Sequence, residues 1–173
     1  MKPLQNQVLL KVELEQDKTT KSGIILLNLT KKREDKGEVI SFGNNIKNFK
    51  KGDIVKFYYG AGYKVNHKGV EHLLIDNRNI LGTLLVNGKF KPNLDFVVID
   101  RDAPLVKTVR GIIIPDTEQK PSMTGTIVAI GDECKDIEVG QKAWYDGEQS
   151  RSLITIDDKE YLIMKQDEIF GTA

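Results

Sequence analysis

Apolar residues in this chain come in short runs rather than helical stripes. Val8-Leu9-Leu10-Lys11-Val12, Val39-Ile40-Ser41-Phe42, Asp53-Ile54-Val55-Lys56-Phe57 and Leu73-Leu74-Ile75 are rich in branched or aromatic side chains and bounded by Gly, Asn, Asp or Lys. Such runs predict strands, because branched side chains fit a pleated surface and the flanking residues favour turns. No segment sustains the helical period. DNRNILG and its later counterpart QDEIFG come nearest, with room for a single helical turn. Gly60-Ala61-Gly62 predicts a hairpin turn.

The pattern occurs twice. KPLQNQVLLKVE from Lys2 aligns with KPNLDFVVIDRD from Lys91 at an offset of 89 residues. SGIIL aligns with RGIII through Gly23 and Gly111, and GEVISFG with GTIVAIG through Gly37 and Gly125, both at an offset of 88. KGDIVKFY from Lys51 meets VGQKAWYD from Val139, with Gly52 on Gly140. EHLLIDNRNILG from Glu71 meets EYLIMKQDEIFG from Glu160, back at 89. Five blocks kept in one order define two homologous domains, residues 1–82 and 90–173, joined by a linker at 83–89 with a tight-turn signal at Asn87-Gly88. Several short strands in each predict an all-β fold of two small β-barrels, since closure removes exposed strand edges.

Two stretches do not fit a barrel connection. Residues 15–36 in the first domain and 103–124 in the second are longer than compact domains usually allow. Their flanks are rich in Lys, Thr, Ser, Glu, Gln and Pro, a composition that does not drive burial. Their centres are a Gly followed by three aliphatics, Gly23-Ile24-Ile25-Leu26 and Gly111-Ile112-Ile113-Ile114. Periodicity alone leaves a buried strand and an adhesive loop equally open. Loop length, and a shared triplet between dissimilar flanks, favour the adhesive loop. Burying three branched aliphatics would gain about 5–8 kcal/mol gross. Ordering the loop consumes much of that, so such loops act together, through multivalency.

Composition narrows the function. The 173 residues are 39% hydrophobic and 29% charged, with a net charge of +1. That balance gives no field for nucleic acid or anionic membrane, and no run is long enough to span a bilayer. Lys31-Lys32-Arg33 and Lys50-Lys51 are diluted by Glu34 and Asp53 and read as solvated faces. Cys134 is alone, which fits a reducing compartment. The opening MKPLQNQVLLKV has no targeting character. His67 and His72 lack further ligands at metal-binding spacing, Cys134 has no His near it in sequence, and Gly60-Ala61-Gly62 lacks the rest of a dinucleotide fingerprint. Trp144 and Tyr145 replace Lys56 and Phe57 in the second domain, and strand packing is the expected reason. No catalytic constellation emerges, so an enzyme is not expected.

The ordered set KPL..QVLLKVE, SGIIL, GEVISFG, KKGDIVKF and EHLLIDNRNILG resembles the GroES-type co-chaperonins, and the resemblance covers nearly the whole chain twice. The tandem layout is similar to double-domain plastid forms, and a bacterial or bacteriophage source fits equally. The resemblance implies a ring-shaped homo-oligomer that caps a GroEL-type chaperonin chamber around non-native protein substrates. ATP would be bound by the chaperonin and not by this chain, which needs no cofactor or metal. The long segments would be the family's mobile loops. Ile24, Ile25, Leu26, Ile112, Ile113 and Ile114 would dock in apical grooves, with Gly23 and Gly111 allowing the turn. Terminal strands of neighbouring subunits would close the ring. The implied location is the cytoplasm, or a plastid stroma or mitochondrial matrix if a transit peptide has been removed. Two departures stand out: connections 43–53 and 131–141 are too short for the family's roof hairpin, and two-domain chains supply an even number of domains to a typically sevenfold ring. The alternatives are a structural β-module that does not act on a chaperonin, and a GroES-like dehydrogenase domain, for which the Rossmann partner and metal ligands are missing.

The loops are unequal: Leu27 and Leu29 extend the first apolar strip, whereas Pro115 follows the second triplet, fixing φ and removing a donor. The expected outcome is that Ile25→Asp and Ile113→Asp weaken chaperonin binding to different extents in a titration; equal losses would contradict it.

Overall fold

Each apolar run named above falls in a strand of the computed structural model, with Val12 and Asp53 just outside the strand ends. The structure describes residues 1–12, 35–103, 108–109, 112–113, 122–147 and 152–173, with the backbone alone at 108–109 and 112–113. Among these there are strands, turns and 3-10 turns but no α-helix. The chain divides into two units, Met1–Thr83 and Leu84–Ala173.

In the first unit, β1 (Gln7–Lys11), β2 (Lys36–Phe42), β3 (Ile54–Phe57), β4 (Tyr63–His67), β5 (Val70–Asp76) and β6 (Ile80–Leu84) lie in the order β4-β5-β1-β2-β3-β6. The second opens with β7 (Phe90–Pro92) and β8 (Phe96–Arg101), then β9 (Thr108–Val109) and β10 (Ile112–Ile113). It continues with β11 (Thr124–Ile130), β12 (Lys142–Tyr145), β13 (Leu153–Ile156), β14 (Lys159–Lys165) and β15 (Ile169–Thr172). Its six-stranded sheet runs β13-β14-β8-β11-β12-β15, the same topology strand for strand. The single helical turns expected in DNRNILG and QDEIFG are 3-10 turns, Asn77–Asn79 and Gln166–Glu168.

Alternation along the strands builds each core. Val8, Leu10, Val39, Val55, Phe57, Ile75 and Ile80 pack together in the first unit, with Ile46 and Phe49 contributed by the connection between β2 and β3. Val97, Ile99, Ile127, Ala143, Tyr145, Leu162 and Met164 do so in the second. Register defects repeat too. The β1–β2 ladder jumps past Ile40, and the β8–β11 ladder jumps past its counterpart Val128. A bulge at one place in both copies is a built feature that bends the strand and increases its twist.

The expected hairpin at Gly60-Ala61-Gly62 is not one. It connects β3 to β4, which are not neighbours in the sheet. The tight hairpin is instead β4–β5, closed by Lys68-Gly69 with φ of 55° and 78°. Its counterpart β13–β14 is closed by Asp157-Asp158 with φ of 48° and 61°. Positive φ at both central residues matches the right-handed twist of the flanking strands.

One close approach fixes where β1 and β8 begin. Gln5 and Leu94 hold positive φ of 50° and 47°. Their carbonyls turn toward Gly43 and Gly131, where a Cβ would lie 2.1 Å from the oxygen in either unit. Asn45 N donates to Gln5 O at 3.3 Å and Glu133 N to Leu94 O at 3.0 Å, tying each connection to the strand start. Gly43→Ala and Gly131→Ala are expected to destabilise their units by about 2–3 kcal/mol in urea unfolding, because backbone must move. Gly171→Ala, with open space around it, is expected to be near neutral.

Candidate functional site

The segments that carry the aliphatic triplets join the paired strands β1 and β2, or β8 and β11, so the two ends of each segment, its roots, lie side by side on one ladder. In the second unit the roots are tied by side chains. Asp102 N donates to Thr124 O at 3.1 Å. Thr124 Oγ1 donates to Asp102 Oδ2, and Lys142 Nζ reaches the same oxygen at 2.9 Å. Tyr145, buried in the core, donates its hydroxyl to Thr124 O at 3.1 Å and its backbone N–H to Met123 O at 3.0 Å. The Thr124 hydroxyl and then the Lys142 ammonium hold the Asp102 carboxyl below the usual carboxylate range. Burial pushes the Tyr145 phenol up, which keeps it a donor.

The first unit ties its root differently. Phe57 N donates to Asp35 O at 2.8 Å, and Lys56 Nζ reaches Asp35 Oδ2 at 3.1 Å. Lys56 is buried, whereas its counterpart Trp144 is 41% exposed. Packing thus accounts for Tyr145 but not for Trp144, which corrects the expectation from sequence.

Of the candidate docking residues, Gly23, Ile24, Ile25, Leu26, Gly111 and Ile114 lie outside the described residues. Ile112 and Ile113 form β10, antiparallel to β9, with Ile112 opposite Val109 and Ile113 opposite Thr108. This two-stranded ladder is separate from the six-stranded sheet. Sequence reasoning missed the root residues Asp102, Thr124 and Lys142. Their partnership joins positions 22 and 40 residues apart, and the substitution of Trp144-Tyr145 for Lys56-Phe57 was the nearest signal of a different root.

Elsewhere the chemistry is sparse. Among the described residues no group of three or more His, Cys, Asp or Glu is placed to hold a metal. His72 Nδ1 lies 2.9 Å from Val70 O on the exposed β4–β5 hairpin, with the His67 ring edge-on at 6.2 Å. Cys134 Sγ donates to Phe96 O at 3.6 Å, and burial raises the thiol, the reverse of an activated nucleophile. No helix among the described residues is long and apolar enough to cross a membrane.

Two all-β units of one topology, each with a long stretch of sequence between the two strands of the same ladder, define a tandem-domain protein. The family model for the chaperonin 10 Kd subunit matches residues 1–84 and again 89–173. The chain therefore belongs to that family, as a tandem two-domain member. It is 42% identical over 84 residues to a co-chaperonin GroES of Thermodesulfovibrio yellowstonii, covering 48% of this chain and 94% of that one. It is 41% identical over 94 residues to the co-chaperonin GroES of Pelagibacter ubique, covering 49% and 97%. The chloroplastic 20 kDa chaperonin of Spinacia oleracea aligns across both domains, at 25% identity over 99% of this chain and 74% of that one. The family is one of co-chaperonins, not of enzymes.

Because the folded-state pKa of Asp102 is lowered, its contribution to stability is complete above the unfolded carboxylate pKa of about 4 and is lost as pH falls through the lower folded value. Thermal melts from neutral pH down to about pH 3 are expected to show a shallower acid decline for Asp102→Asn than for the parent chain.

Proposed function

We propose that this chain assembles into a ring that closes an ATP-driven chaperonin chamber, docking through Gly23-Ile24-Ile25-Leu26 and Gly111-Ile112-Ile113-Ile114. The observation that carries the reading is the placement of Ile112–Ile113 in a ladder of their own, outside the six-stranded sheet. A core strand would belong to that sheet, and this pair does not. The stapled roots support the same reading, since they fix where the loop leaves the domain while the core stays closed.

Ring assembly draws support from the surface of the second unit. There β15 ends its sheet with Phe170 70% exposed, beside Trp144 on β12. An edge strand flanked by exposed aromatics calls for cover, and a second copy of the chain supplies it. Enclosed substrates would be non-native proteins, and the energy of the cycle would come from ATP held by the chaperonin. The chain would have no catalysis of its own and no nucleic-acid or membrane partner. It would act in a cytoplasm or a plastid stroma.

Mixing the protein with a chaperonin ring and sedimenting the ring is expected to carry the protein down with ATP and not without it. The double variant Ile25→Asp/Ile113→Asp is expected to stay in the supernatant while unfolding like the parent. A parent that forms no complex with any ring offered, the one from its own source included, would overturn the reading in favour of a structural β-module.

A further inference from the structure

The connections β2–β3 and β11–β12 share one backbone design and carry opposite charge. Ile46 N donates to Gly43 O at 3.2 Å in the first, and Cys134 N to Gly131 O at 3.3 Å in the second. Gly52 and Gly140, with φ of 87° and 97°, close them in the same way. The same positions point inward: Ile46 and Phe49 enter the first core, and Cys134 and Ile137 pack against the second. With the apolar anchors inside, the polar positions between them face solvent. There Asn44, Asn45, Asn48 and Lys50 of the first unit become Asp132, Glu133, Asp136 and Glu138 of the second. Residues 43–53 hold three lysines against Asp53, net +2, and residues 131–141 hold four carboxylates against Lys135, net −3.

Internal pairing does not use up these charges. Asp53 Oδ2 accepts from Lys50 N at 2.7 Å, and Asp132 pairs with Lys91 at 2.7 Å. Lys47, Lys50, Lys51, Glu133, Asp136 and Glu138 are all exposed, and none has an ion-pair partner among the described residues. Shape kept while charge is reversed is the pattern expected of two surfaces that meet each other. Opposite patches orient an encounter, and like patches disfavour the wrong pairing.

We propose that the acidic connection 131–141 of one copy docks against the basic connection 43–53 of a second copy, setting a head-to-tail order of copies. This deepens the ring reading and rests on it. The contact is heterologous, joining two different patches, as a closed ring of identical chains requires. It makes like-on-like placement of neighbouring units unfavourable and so fixes the order of units around the assembly.

Charge reversal tests it on the full chain, by sedimentation velocity and native mass at low and high salt. Lys47→Glu/Lys50→Glu/Lys51→Glu alone, or Glu133→Lys/Asp136→Lys/Glu138→Lys alone, should raise the assembly midpoint about tenfold or more at low salt, with the difference shrinking at high salt. The chain carrying both sets, or an equal mixture of the two variants, should recover assembly, which a folding defect would not. Assembly of either single set equal to that of the parent would overturn the inference and leave the ring reading intact, as would loss without recovery. A parent that does not assemble would overturn both.

Discussion

Each unit depends on one antiparallel ladder, β1 with β2 or β8 with β11, whose two strands are separated in sequence by the long loop. The strands are therefore paired without a tight turn to bring them together, and the entropy of closing that loop opposes the pairing. Three devices hold it. The fully buried Val8-Leu9-Leu10 and Val97-Val98-Ile99 bind the ladder to the core. The bulges at Ile40 and Val128 and the Gly43 and Gly131 approaches fix its register. The Asp102–Thr124 tie joins the two strand ends in the second unit, and Asp35 anchors the start of β2 to β3 in the first. Those ties lie where the chain passes into and out of the long stretch of sequence between the paired strands.

How much of this is visible in the sequence depends on the range of the forces involved. The core strands are local patterns of branched residues, and duplication reveals them twice. β4 and β13 are less visible: Tyr63, Lys64 and Asn66 are exposed, so YKVNH has no apolar rhythm, and the hairpins turn on Lys-Gly and Asp-Asp rather than Asn-Gly. The Gly-rich stretch nearby was the stronger turn signal but serves a crossing between sheet positions. The aliphatic triplets stand out in the sequence because they sit in polar flanks. Their roots do not, since the meeting of Asp102, Thr124 and Lys142 comes from strand register and leaves no periodic trace.

The two units also show what a duplicated scaffold keeps and what it releases. Topology, bulge, close glycine contact and hairpin geometry are held in common. The root chemistry differs, a buried lysine with an aspartate in one unit and a Thr–Asp–Lys cluster in the other, where an exposed tryptophan takes the lysine's place in the strand. The connections at the far end of the same strands differ in charge. The backbone constraints are strict because a displaced carbonyl or a missed register costs the whole ladder. The side-chain solutions around them are interchangeable because several chemistries can cap one strand end.

The joining of Met1–Thr83 and Leu84–Ala173 in one polypeptide has a consequence for inheritance and expression. Separate single-domain proteins of two kinds would mix in proportion to their synthesis, and assemblies drawn from that pool would vary in composition. A tandem chain delivers the two kinds in equal number from every round of translation. Dosage control of the pair is thus written into the covalent chain, and no transcriptional balance is needed to maintain it.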